Sequence, residues 1–71
     1  MGESELNVIR LEMEWDSKSA CVVMHQEGET VTIHSIERPG LESLPGGGET
    51  YRSITEAHNQ AWWLWKDSLK Q

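Results

Sequence analysis

Three side chains of different chemistry stand out first: the carboxylate of Glu14, the thiol of Cys21 and the imidazole of His34. Brought together, such a set could ligate zinc, or let the imidazole deprotonate a nucleophilic thiol. His58 is a further candidate base, and Gly46-Gly47-Gly48 raises the prospect of a phosphate-cradling loop. Spacing argues against each. Cys21 is the one cysteine, so it has no partner for an internal disulfide or a Cys-x-x-Cys pair. The glycine run lacks the lysine and the strand–loop–helix spacing of a P-loop. His58 falls on an apolar helix face and reads as a satisfied, half-buried histidine. No acid and base are spaced so as to be forced into one cleft. The sequence therefore assigns no catalytic residue, no metal and no cofactor, and the chain reads as a non-enzyme.

The elements that must position these groups follow from periodicity. Residues 6–15 alternate, with Ile9, Leu11, Met13 and Trp15 on one side and Val8, Arg10, Glu12 and Glu14 on the other. A period of two is a half-buried strand. Asp16-Ser17-Lys18-Ser19 is turn chemistry, residues 20–26 form a second strand, Glu27-Gly28 a tight turn, and residues 29–36 a third strand. Two-residue turns at Ser17-Lys18 and Glu27-Gly28 pair Met13 with Val22 and Met24 with Val31. Both hairpins then place Leu11, Met13, Trp15, Val22, Met24, Val31 and Ile33 on one face. The opposite face carries two rows, Glu14–Cys21–His34 and Arg10–His25–Thr30. Side chains directly opposed on a flat sheet project in parallel, so the first row reads as a solvated polar face.

Residues 37–50 read as a flexible Pro/Gly-rich loop, and a fourth edge strand at Tyr51-Arg52 is left open. Ser53-Ile54-Thr55-Glu56 is a capping box, with Glu56 reaching back to the Ser53 amide. The helix spans 54–69 and carries Ile54, Ala57, His58, Ala61, Leu64, Trp65 and Leu69 on one face. The expected architecture is α+β: a three-stranded antiparallel meander, open to a fourth strand, packed on one C-terminal helix as a two-layer sandwich.

Seventy-one residues make one domain with a thin stability margin. No apolar run approaches the roughly 20 residues of a membrane span. The acidic start, Met1-Gly2-Glu3-Ser4-Glu5, is unlike a signal or transit peptide, so the expected location is the cytoplasm. Net charge is −6, with ten acids and three bases in residues 1–50 but two acids and three bases in 51–71. Such a balance argues against direct nucleic-acid binding and allows the sheet half to dock a basic protein.

Trp63 falls almost opposite the centre of the helix's apolar stripe, and Trp62 at its edge. An exposed tryptophan is a frequent interface anchor. The candidate partner-binding residues are Trp63, Trp62 and Lys66 on the helix, Glu12 and Glu14 on the sheet, and Leu41 and Leu44 in the loop. Leu41 and Leu44 could instead cap the open end of the core.

The order from Thr30 to Trp65 (strand, Pro-Gly turn, polar stretch, helix opening Ser-Ile-x-Glu-Ala) resembles the partial ribonuclease-H-like domain of HicB-type antitoxins. The matching positions are Pro39, Gly40, Ile54, Glu56, Ala57 and Ala61, over about half the chain. The chain departs from that pattern in its additional strand, its glycine-rich insertion and the absence of a strand after the helix. The resemblance implies an antitoxin-like domain that binds a small ribonuclease. The leading expectation is a small acidic protein-binding module that masks or inhibits a basic, nucleic-acid-handling partner as a nucleic-acid mimic. Accessory and anti-defence proteins of phages and mobile elements are analogues in size and charge. A structural homodimer is a third reading.

Overall fold

The computed structural model describes residues 6–70, so the acidic start of the chain lies outside the described residues. Three long strands, β1 (Asn7–Trp15), β2 (Lys18–Glu27) and β3 (Thr30–Glu37), form an antiparallel meander. Two short segments, β4 (Leu44–Pro45) and β5 (Thr50–Tyr51), both pair with β3, and one helix, α1 (Ile54–Leu69), follows. The α+β two-layer architecture expected from periodicity is the one formed.

Turn geometry sets the register, and it differs by two residues from the expectation. The first turn is Asp16-Ser17, both with positive φ (55° and 65°), which is the type I′ pattern that matches strand twist. Lys18 therefore belongs to β2, and Met13 faces Ala20 rather than Val22. At the second turn Gly28 supplies the positive φ (62°) of a type II′ turn ahead of Glu29, and Met24 faces Ile33 rather than Val31. Two residues is one period of the pleat, so the inner face survives the shift.

A β-bulge then changes the phase. Met24 faces Ile33, but Val23 faces Ser35 and Val22 faces Ile36, leaving His34 as the extra residue. The bulge returns Ile36 to the core, where it is fully buried. It also leaves His34 and Ser35 both on the outer side. His34 stacks on His25 with ring centroids 4.4 Å apart.

Residues 37–50 are more ordered than a flexible loop. Arg38-Pro39-Gly40-Leu41 is a turn closed by Leu41 N–H on the Arg38 carbonyl at 3.1 Å, with Gly40 at φ 77°. Arg38 Nε donates to the Glu42 carbonyl (2.8 Å) and Nη1 to Ser68 Oγ (3.3 Å), tying this turn to the last turn of α1. The edge strand left open at Tyr51-Arg52 exists one residue earlier as β5, and β4 is an addition the sequence reading took for loop; four residues, 46–49, are set between them opposite Ile33 and His34 of β3. Gly46 is buried, and a Cβ placed there would lie 1.7 Å from the Ile33 carbonyl oxygen. Only glycine allows that approach.

Ser53 caps α1 by accepting from Glu56 N–H at 3.1 Å. Glu56 accepts in return from the Arg52 amide (3.4 Å) rather than from Ser53, one residue earlier than a capping box requires. The buried stripe of α1 is Ala57, Ala61 and Trp65, seated on Val22, Met24, Val31, Ile33 and Ile36. Leu64, expected on this stripe, is 41% exposed on the flank toward Gly46 and Tyr51.

The clamp at Gly46 carries a direct test. Gly46→Ala should lower the unfolding free energy by about 1–3 kcal/mol, the usual cost of overpacking. Urea denaturation followed by tryptophan emission would measure it, and an unchanged midpoint would mean that this edge is not seated on β3.

Candidate partner-binding surface

Trp15 ends β1 on the inner face, and Trp62 and Lys66, one helical turn apart, lie on the flank of α1 nearest to it. The Lys66 ammonium sits 4.7 Å from the Trp15 ring centroid, 4.5 Å from Trp62 and 5.1 Å from Trp63. Trp62 and Trp63 meet edge-to-face, with centroids 5.3 Å apart and planes at 84°. Lys18 approaches Trp15 at 5.9 Å. One cation thus joins three indoles from two elements, and each such contact is worth about 0.5–1 kcal/mol at exposed sites. Trp62 is half-buried and Trp63 is 50% exposed, as their places on the wheel imply. Trp15 reads from sequence as a core residue, and its meeting with Lys66 has no local signature.

Glu12 and Glu14 stand on the opposite side of the sheet. Glu12 faces Cys21, which faces Glu37 on β3. These three and Glu14, with Ser19, Arg38 and Pro39, line a shallow groove of about 400 Å³. Arg10 reaches across β2 to Glu37, with Nη1 to Oε1 at 3.2 Å. Val23 on this outer face is only 4% exposed. The expected partner residues therefore fall on two faces. Trp62, Trp63 and Lys66 belong to the helix side, and Glu12 and Glu14 to the sheet side. Leu41 is exposed beside the end of α1, lining a cleft with Pro39, Trp65 and Leu69. Leu44 faces Ile36 within the sheet and packs half-buried on the core.

The chemical row seen in sequence is not assembled. Glu14 faces Ser19, Cys21 lies between Glu12 and Glu37, and the bulge carries His34 to His25. The second row dissolves likewise: Arg10 faces Val23, His25 faces Thr32, and Thr30 faces Glu27. Among the described residues no three His, Cys, Asp or Glu side chains are grouped to hold a metal ion. His58 is half-buried as expected, but its Nε2 is buried and has no hydrogen-bond partner among the described residues, a cost the sequence reading missed. Among the described residues no helix is long and apolar enough to cross a membrane. No protein family, curated protein or solved structure matches this chain.

In β5, Tyr51 donates to Glu49 Oε1 at 3.5 Å. Partial burial first, then the Glu49 charge and this hydrogen bond, push the phenol above its ordinary value. Tyr51 thus keeps its proton past the pH at which the unfolded chain loses it, so this contribution to stability falls as pH rises above about 10. Tyr51 is the one tyrosine, and ultraviolet titration reads it alone. The midpoint should drop in Glu49→Gln without reaching that of an unfolded peptide; an unmoved midpoint would remove Glu49 from the account.

The indole cluster is tested by Lys66→Met, which keeps the apolar stem and deletes the charge. It should cost about 1 kcal/mol of stability and change the tryptophan emission. Equal stability and an identical spectrum would show that the ammonium contributes nothing.

Proposed function

We propose that this chain is a small acidic, non-enzymatic protein-binding module that masks a basic surface on a nucleic-acid-handling partner. The observation that carries the reading is the outer sheet face, where Glu12, Glu14 and Glu37 line one shallow groove on the side of the sheet away from the core. An open surface of carboxylates with both signs of charge at its border suits electrostatic docking, which steers association and is screened by salt. The same surface offers a nucleic-acid-binding protein a substitute for phosphates. A location in the cytoplasm and an origin as an accessory protein of a phage or mobile element accord with size and charge by analogy alone.

A second reading rests on Trp63. An indole held edge-on by Trp62 and half in solvent is a pre-oriented anchor of the kind that protein interfaces use. Together with the strand, Pro-Gly turn and helix order, it would suit an antitoxin-like domain that covers a small ribonuclease through the helix face.

The two readings use opposite faces, so variants separate them. A nuclease-treated pull-down at low salt from host lysate would compare wild type with Glu14→Lys/Glu37→Lys and with Trp63→Ser. The leading reading expects a basic partner that salt releases, and that the charge-reversed variant binds about tenfold more weakly. It also expects nucleic acid to compete for that partner. Affinity indifferent to ionic strength, with loss confined to Trp63→Ser, would overturn it in favour of the helix face.

A further inference from the structure

The two edges of the sheet are built differently. On one, β4 and β5 have two residues each, Pro45 offers no N–H, and residues 46–49 interrupt the ladder between them. The other edge is β1, nine residues without proline, glycine, lysine or bulge. Among the described residues β1 pairs with β2 alone. A long, regular open edge is a template for another strand, and proteins that stay monomeric ordinarily blunt it.

The geometry of β1 specifies what that strand could be. Trp15 and Lys18 flank a two-residue turn and are thus a hydrogen-bonded pair. By the alternation of antiparallel ladders, odd-numbered residues of β1 direct their N–H and C=O groups to β2. Val8, Arg10, Glu12 and Glu14 direct theirs to the open edge. A second copy of β1 related by a two-fold axis normal to the sheet keeps each face with its like. Three central registers are then available. With Arg10 on the axis two guanidinium groups oppose each other, and with Glu12 on the axis two carboxylates do. With Leu11 on the axis, Arg10 of each chain faces Glu12 of the other twice over, and every residue from Asn7 to Trp15 finds a partner.

We infer that the protein is a two-fold homodimer in which the β1 strands pair antiparallel about Leu11, merging both sheets into one. About eight backbone hydrogen bonds form across the axis. Leu11 meets the partner's Leu11 at the close, non-hydrogen-bonded position, and Ile9 meets the partner's Met13. Leu11 and Ile9 are half-buried in the single chain, because α1 lies over β2, β3 and β5 and leaves β1 largely uncovered. Arg10 already bonds Glu37 through one nitrogen, and a guanidinium has further donors for the partner's Glu12. The blunted opposite edge stops the assembly at two, so the contact closes rather than growing into a fibre. This inference does not depend on the basic-partner reading, since it rests on the strand edge, although Glu12 belongs to both surfaces.

Light scattering on the purified full chain across a concentration series tests it. The expected result is the mass of two chains, with Glu12→Arg weakening the dimer by about tenfold or more and Arg10→Glu/Glu12→Arg restoring it. Circular dichroism would check that each variant keeps its fold. In a Cys21→Ser background, Leu11→Cys should oxidise rapidly to a covalent dimer while Ile9→Cys does so slowly, because only position 11 meets itself. A monomer up to about 1 mM would overturn the inference, as would a dimer unaffected by Glu12→Arg or equal crosslinking at both positions.

Discussion

One helix cannot roof this sheet. An α-helix with its side chains is about 10–12 Å across, and neighbouring strands lie about 4.8 Å apart, so α1 covers little more than two strands. It sits on β2 and β3, where Ala57 and Ala61 allow close approach and Trp65, 1% exposed, fills the space beyond them. The rest of the architecture answers that shortfall. On one side β5 meets the helix, with Tyr51 half-buried against the core and Leu64 left outside. On the other, Ile9 and Leu11 of β1 remain partly uncovered.

The C-terminal end of the helix is fastened by cations as well as by the packing of Leu69 on the core. Lys66 brings its ammonium close to the rings of Trp15, Trp62 and Trp63, bridging the gap between α1 and the end of β1. Arg38 links the β3–β4 turn to Ser68, whose hydroxyl donates to the Trp65 carbonyl at 2.6 Å. Both cations lie near the helix C-terminus, where the macrodipole favours positive charge.

Alternation and the 3.6-residue period made the three long strands, their inner face and α1 legible, because each signal repeats over eight or more residues. The register was not, since it depends on which two residues take positive φ, and Asp16-Ser17 competes closely with Ser17-Lys18. The bulge was hidden for a related reason: a single out-of-phase apolar residue, Ile36, is its whole signature. The edge segments β4 and β5 look like loop because they are short and interrupted by glycine. Gly46 is required by a contact with Ile33 that no local pattern encodes. Of the candidate surface, exposed Trp63 followed from its angle on the wheel. The meeting of Trp15 with Lys66, and the separation of Glu12 and Glu14 from the tryptophans by the thickness of the sheet, needed the tertiary fold.

That separation has a physical consequence for how such a chain can change. The core is one-sided, so the outer-face carboxylates Glu12, Glu14 and Glu37 do not pack into it. Among the described residues they are held by the ion pair between Arg10 and Glu37, and an exposed pair contributes at most about 1 kcal/mol. Arg10 must pass beside Val23 to reach Glu37, so its apolar stem also helps to cover that residue. Charge on the outer face can therefore be tuned for a partner with small loss of stability. Trp62 is different, because it packs on the core, holds Lys66 and props Trp63. A surface built from the tryptophans is bound to the fold, whereas a surface built from the glutamates is free of it.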